Sequence, residues 1–342
     1  MPAHASALYL PGRCVSFYRS FFCAYLPGAR RDKIARTMNS QKSPNSRHSQ
    51  HGYKSSAPLP AEPLIAGQSI ELLKELHILT REGKLNQDSR RKLKQVRHLY
   101  QFIEPLLVRL QEAQGDFTLV DLGAGKSYLG FILYDLFLHP QRCGRIFGIE
   151  TRAELVTRAR ELADRLGFSR MHFEHLSAEA SIHAPTLPAR VDIVTALHAC
   201  DTATDDAIRF ALHKRARFVV LVPCCQAEVA AVLRQNKSAA LARTPLAELW
   251  RHPIHTREFG SLLTNVLRCL QLEAHAYRVT TTELVGWEHS LKNELIIAEY
   301  TGQARGNAAQ RLAEILRQLG LEALSSRFLD SPVAPAAAEN NA

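Results

Sequence analysis

The chain lacks any apolar run near the roughly 18 residues that a membrane-crossing helix needs, so no membrane span is expected. It has no C-x-x-C pair, which removes the usual thiolate zinc sites, and no metal site is expected. Its seven cysteines are an odd count in a chain of 342 residues, which speaks against a disulfide framework and suits a reducing cytoplasm. A clean apolar stretch with an A-x-A cleavage site is missing near the start, so no secretory signal is expected. Two phosphate-binding loops are missing as well. Gly125-Lys126-Ser127 ends like a Walker A loop, but Val120 stands where the first glycine belongs. A dinucleotide fingerprint starting at Gly123 would need glycine at Tyr128.

Acidic residues are scarce in one place only. Residues 1–60 hold nine Lys/Arg against the single acid Asp32, a charge of +8 out of the total of +10. The other 282 residues carry 34 basic and 32 acidic side chains, so the bulk charge says little about what the folded part binds. Residues 38–60 are rich in Ser, Asn, Gln, His and Pro, the composition of a disordered linker. The expected organisation is a basic extension over 1–60, a helical segment over 61–114, one α/β domain over 115–302, a terminal helix over 303–330 and a disordered Pro/Ala/Asn tail over 331–342.

Within the helical segment, residues 62–83 carry Ile70, Leu72, Leu73, Leu76, Ile78 and Leu79 at helical spacing, with Gly83 as the stop. Residues 88–112 repeat the pattern with Leu93, Val96, Leu99, Tyr100, Ile103, Leu106, Leu107 and Leu110. Pro105 is expected to kink that helix. Its first half is basic, with Arg90, Arg91, Lys92, Lys94 and Arg97. This is a solvated face or a phosphate-contacting rim that would make RNA a partner.

From residue 117 the chain alternates strands and helices, which implies a parallel sheet covered on both faces. The first strand runs into Asp121-Leu122-Gly123-Ala124-Gly125, an acid at a strand end followed by two glycines, and then into the helix beginning near Tyr128. A strand, a glycine turn and a helix start make a ligand site, because backbone N–H groups point outward there. The second strand, Arg145–Glu150, ends in an acid 25 residues after Gly125, placed to accept the two ribose hydroxyls of an adenosine. Further strands are expected at 171–175, 191–197 and 217–222, with helices at 153–166 and 202–213, the latter capped by Thr202 or Thr204. Residues 227–270 read as helical with breaks at Pro245 and Pro253. Residues 272–282 and 294–300 read as an antiparallel strand pair, and 307–324 as a terminal helix.

Asp-x-Gly-x-Gly resembles motif I of the class I S-adenosylmethionine (SAM) methyltransferases, with Ser127 where a third glycine is usual. Four segments together sharpen the resemblance: DLGAGKSY at 121–128, LHACD at 197–201, VPCCQ at 222–226 and KNELI at 292–296. They are similar to the methyltransferase family that includes the glutathione S-transferase C-terminal domain-containing and ribosomal RNA adenine dimethylase domain-containing proteins, nearest to its bacterial branch. The resemblance implies a Rossmann-like doubly wound sheet, mostly parallel with a C-terminal antiparallel pair, preceded by a helical N-terminal segment. It implies SAM as cofactor and methyl transfer to an acceptor it does not name, with RNA or a translation component as one class. The alternatives are a SAM- or RNA-binding module without catalysis and a small-molecule or protein methyltransferase.

For the cofactor, the resemblance implies Asp121, Gly123, Ala124, Gly125 and Glu150, with Glu179 as the candidate at the adenine and His198 as a further contact. For catalysis, His198 is a base with a pKa near neutral, and Asp201 orients it or binds the acceptor. His198 bonded only to loop backbone is the alternative. Cys200, Cys224 and Cys225 also follow strand ends, where a thiolate could attack a base as in the cytosine-C5 enzymes. A buried, inert role is the alternative. No Asn/Asp-Pro-Pro-Tyr/Phe motif follows the fourth strand, which disfavours adenine-N6 chemistry.

Overall fold

The computed structural model describes residues 67–197, 199, 201–223, 226–235, 245–284, 294–304 and 306–329, all within the compact unit Ala61–Ala342. The basic extension, the C-terminal tail, His198, Cys200, Cys224, Cys225, Lys292 and Asn293 lie outside the described residues, as do the side chains of Arg91 and Lys92. Among the described residues no helix is long and apolar enough to cross a membrane.

The first described helix, α1 (Ile70–Glu75), is much shorter than the periodicity suggested. Ser69 caps it by accepting from Leu72 N at 3.1 Å. It ends because His77 takes a left-handed φ of 53°. His77 N then donates to Lys74 O, and Ile78 N to Leu73 O, a helix stop usually made by glycine. Leu76, Ile78 and Leu79 are buried beyond that stop, which is why their spacing imitates a longer helix. Helix α2 (Gln87–Gln114) runs through Pro105 without ending and buries Leu93, Leu99, Ile103, Leu107 and Leu110.

Strand β1 (Thr118–Leu122) leads into α3 (Tyr128–Leu133), which continues through a π-helical turn Tyr134–Leu138 and a last turn His139–Gln141. Then come β2 (Arg145–Glu150), α4 (Ala153–Arg165), β3 (Met171–His175), α5 (Ala178–Ile182), β4 (Ile193–Ala196), α6 (Thr202–His213), β5 (Phe218–Leu221) and α7 (Glu228–Gln235). A 3-10 turn Pro245–Trp250 precedes α8 (Pro253–Ala274), so the two prolines open elements and do not break one. Strands β6 (Tyr277–Glu283) and β7 (Glu294–Tyr300) follow, then α9 (Ala308–Gln318), a 3-10 turn Glu322–Leu324 and α10 (Ser325–Phe328). The strand expected from residue 272 begins later, because α8 keeps Leu272 in its last turn. The terminal helix likewise stops at Gln318.

The seven strands form one sheet in the order β3-β2-β1-β4-β5-β7-β6. All neighbours are parallel except β5–β7 and β6–β7, as the sequence resemblance implied. The strand order reverses between β1 and β4, the kind of switch point beyond whose carboxyl ends open α/β sheets bind ligands. Register divides β1 by face. Val120 and Leu122 join a core with Phe147, Ile149, Val194, Ala196, Ile208 and Phe210. Asp121 points the other way, level with Gly148 of β2 and Thr195 of β4.

The C-terminal helices make a second core. Val229 and Leu233 of α7, Leu263, Leu267 and Leu270 of α8, and Leu312 and Leu316 of α9 pack together. Gly260 permits this, since a Cβ there would lie 2.6 Å from Ala230 Cβ and 2.8 Å from its main chain. Gly260→Ala should therefore force α7 and α8 apart and cost about 1–3 kcal/mol, measured by urea unfolding. A loss below about 0.5 kcal/mol, the range of an ordinary surface change, would show that the contact is loose.

Candidate active site

The turn after β1 is left-handed at three alternate residues: Gly123 (φ 65°), Gly125 (φ 59°) and Ser127 (φ 53°). Glycine takes that conformation without cost; an L-residue pays about 1–2 kcal/mol. The sequence departure at Ser127 therefore carries strain. The Ser127 side chain is fully buried and its hydroxyl has no hydrogen-bond partner. Gly130, one turn on, leaves it room, for a Cβ there would sit 2.5 Å from Ser127 Oγ. The turn is tied to β2 by Ala124 N donating to Ile149 O at 3.0 Å, so the Ala124 N–H is used within the fold.

Two acids flank the turn on one face of the sheet. Glu150 is 6% exposed and accepts from Gly125 N at 2.8 Å, Arg152 N at 3.0 Å and Arg152 Nε at 2.9 Å. Burial alone would raise its pKa, but these bonds and the Arg152 charge outweigh it and hold the carboxyl below its usual range. Asp121 has the opposite balance. It is buried at the end of β1, with one hydrogen bond from Thr195 Oγ1 at 2.7 Å. Burial, with the nearby Glu150 charge, pushes it up to about 7 despite that bond.

The segment after β4 meets this turn, and the segment after β5 is bonded to that segment. Ala199, between the undescribed His198 and Cys200, is buried, and its Cα lies 3.5 Å from where a Gly123 Cβ would be. Thr204 holds the Ala199 carbonyl through its hydroxyl at 2.5 Å. Asp201 also takes a positive φ, of 51°. It holds the N-cap position of α6 in place of the expected Thr202 or Thr204, but its side chain makes no cap bond. Its carboxylate accepts instead from Ala227 N at 3.1 Å, joining the two post-strand segments.

Behind Asp201 lies a buried polar network. Arg268 of α8 is wholly inaccessible. Its Nε and Nη2 grip Asp205 of α6 at 2.7 and 3.0 Å, Nη2 also reaches Asp201 O at 2.8 Å, and Nη1 reaches Asn265 Oδ1 at 3.3 Å. Gln226 Nε2 donates to the same Asn265 oxygen at 2.7 Å, and Ser261 Oγ to Gln226 Oε1 at 2.8 Å. The network ends at a cavity of about 380 Å³ beyond β5, lined by Pro223, Gln226, Ser261, Asn265, Glu283 and Glu294 among others.

The structure thus gathers Asp121, Gly123, Ala124, Gly125 and Glu150 at one turn and brings Asp201 near it. Glu179 is exposed in the first turn of α5, where Ser177 caps the helix through Ala180 N at 3.1 Å. Sequence reasoning missed Thr195, Arg152 and the whole Arg268 network. One signal was available: a lone arginine within the apolar run Leu267, Leu270, Leu272 of a helix, with an acid at Asp205 to pair it.

Two outcomes are expected. A carboxyl whose pKa rises from 3.8 to about 7 on folding contributes nothing below pH 3.8 and costs stability as pH climbs through that window. Asp121→Asn should therefore gain up to about 4 kcal/mol at pH 8 and little near pH 4, read from denaturant midpoints at both pH values. Equal effects at both would refute the elevated acid. Arg268→Ala strands a buried Asp205 and should cost about 3–5 kcal/mol, whereas Arg268→Met with Asp205→Leu should recover most of it.

Residues 91–232 match the family model described as a methyltransferase domain. The glutathione S-transferase C-terminal domain-containing protein of Bos taurus is 30% identical over 179 residues, which are 52% of this chain and 25% of that protein. Its Homo sapiens counterpart is 31% identical over 146 residues, 42% of this chain and 20% of that protein. The chain thus spans a quarter or less of the length of these curated relatives. An rRNA methylase structure from Streptococcus thermophilus is similar with a TM-score of 0.34 and 9% identity, covering 54% of this chain and 87% of that one. The matched stretch runs from within α2 into α7 and includes the glycine turn, so this part of the chain is similar to a methyltransferase domain.

Proposed function

We propose that the chain binds S-adenosylmethionine at the turn 121–125 and transfers its methyl group to an acceptor held beyond β4 and β5. The observation that carries this is Glu150, buried and ionised, fixed on the N–H of a left-handed Gly125. The residues present suit the cofactor. Two acids beside side-chain-free backbone fit a ligand with an ammonium group and a ribose diol. Asp121 would oppose the ammonium, and Glu150 would accept the ribose hydroxyls once Arg152 gives way. Glu179 would serve the adenine. Once bound, the cofactor would supply an electrophilic methyl on a sulfonium.

The chain's own residues then have to align the acceptor and take its proton, since displacement needs the groups in line and water kept out. We assign the proton to His198, with Asp201 as a positioning residue: its bond to Ala227 N and the Arg268 bond to its carbonyl fix the segment that carries His198. Cys224 and Cys225 are the alternative nucleophiles for a base acceptor. A second reading, RNA as acceptor, has in its favour the exposed Arg90 and Lys94 on α2, with Arg97 further along. Cysteine usage supports a cytoplasmic setting. The four quoted segments alone support the bacterial branch.

Titration calorimetry with S-adenosylmethionine should give saturable heat. Gly123→Asp should abolish it, and Glu150→Ala should weaken it at least about tenfold. Because a cation binds the ionised form of Asp121, affinity should climb by about tenfold per pH unit below pH 7 and level off above it. Absence of heat in the unaltered protein would end the reading.

A further inference from the structure

The cavity beyond β5 carries more information than its position. Its floor is built of side chains held in fixed orientations. Gln226 is 4% exposed and Asn265 5%. The guanidinium of Arg268 can only donate, so its contact fixes the Asn265 oxygen inward. That leaves Asn265 Nδ2 pointing to Glu294, at 2.5 Å from Oε2. Glu294 thus receives a neutral donor, while the Arg268 charge is spent on Asp205.

Across the β6–β7 ladder, Glu294 stands directly opposite Glu283. Like charges in that register repel and weaken a strand pair. Both line the cavity, and so does Glu258, which pairs with Arg257 at its outer edge. Neither lysine nor arginine is among the described lining residues. The volume, near the low end for a small-molecule site, is large enough for an alkyl amine or an arginine side chain. A phosphate would meet three carboxylates there.

We propose that this cavity is the acceptor subsite and that it receives an ammonium or guanidinium group, through Glu283 and Glu294. This rests on the methyltransferase reading above. A cation between the two glutamates removes their repulsion, and Gln226 Oε1, which accepts one bond from Ser261, has a second lone pair for a further N–H. The group comes either from a free amine or from a basic side chain of a protein. The chemistry is the same, and the exposed rim of the cavity admits both.

The test is calorimetry on the full chain with two probes, agmatine and the capped peptide Gly-Gly-Arg-Gly-Gly, with S-adenosylmethionine titrated separately. At least one probe should bind saturably and more weakly as salt is raised; which of them binds tighter names the source. Glu283→Gln and Glu294→Gln should each weaken it about tenfold, Glu294→Asp should retain most of it, and cofactor affinity should stay unchanged in all three, which also shows they fold. If the cofactor binds and neither probe does, the acceptor inference fails alone. Probe binding that the glutamine variants leave intact, or that an RNA oligonucleotide displaces, also overturns it. If probes bind but the cofactor does not, the methyltransferase reading fails and takes the acceptor assignment with it.

Discussion

A guanidinium with no access to water must be matched on every side, and Arg268 is matched by one carboxylate, one amide oxygen and one main-chain carbonyl. Removing such a group from water costs several kcal/mol, which a buried pair recovers only with good geometry and further hydrogen bonds. The geometry here recruits four parts of the chain. Asp205 brings α6, Asn265 belongs to α8, Asp201 O belongs to the segment after β4, and Gln226 follows β5. The constraint is therefore also a positioning device. Arg268 thereby ties the segment that lies against the glycine turn to the one that follows β5.

The turn itself sets two buried acids in opposite balance. Asp121 and Glu150 share a face of the sheet, and burial raises the energy of both charges. Glu150 escapes through Arg152 and the Gly125 N–H; Asp121 has a threonine hydroxyl and little else. A protein selected for stability alone would place an amide or an apolar residue at 121. Acids shifted this far by burial cluster at functional sites.

How much of this the sequence revealed follows from how local each feature is. Strands β2 and β3 and helix α6 fall where their apolar patterns put them, and the glycine turn is legible because its acid, its glycines and the next strand's acid lie within 30 residues. Helix α1 was overread because His77 makes a stop that normally advertises itself as glycine, and because buried residues continue past it at helical spacing. Leu272 reads as strand from its neighbours' pattern, yet α8 runs on to Ala274. The Arg268–Asp205 pair spans 63 positions, and only the packing of α8 on α6 unites it. The opposed glutamates become visible only when the register of β6 on β7 is known.

Ser127 and Gly130 show how such a site constrains its own history. The serine hydroxyl occupies the space that any side chain at 130 would need. Alanine at 130 is thus closed to this chain while serine stands at 127, and becomes accessible only after 127 reverts to glycine. The two positions can drift in one order and not in the other, so 130 would look invariant in a survey of single changes while 127 would not.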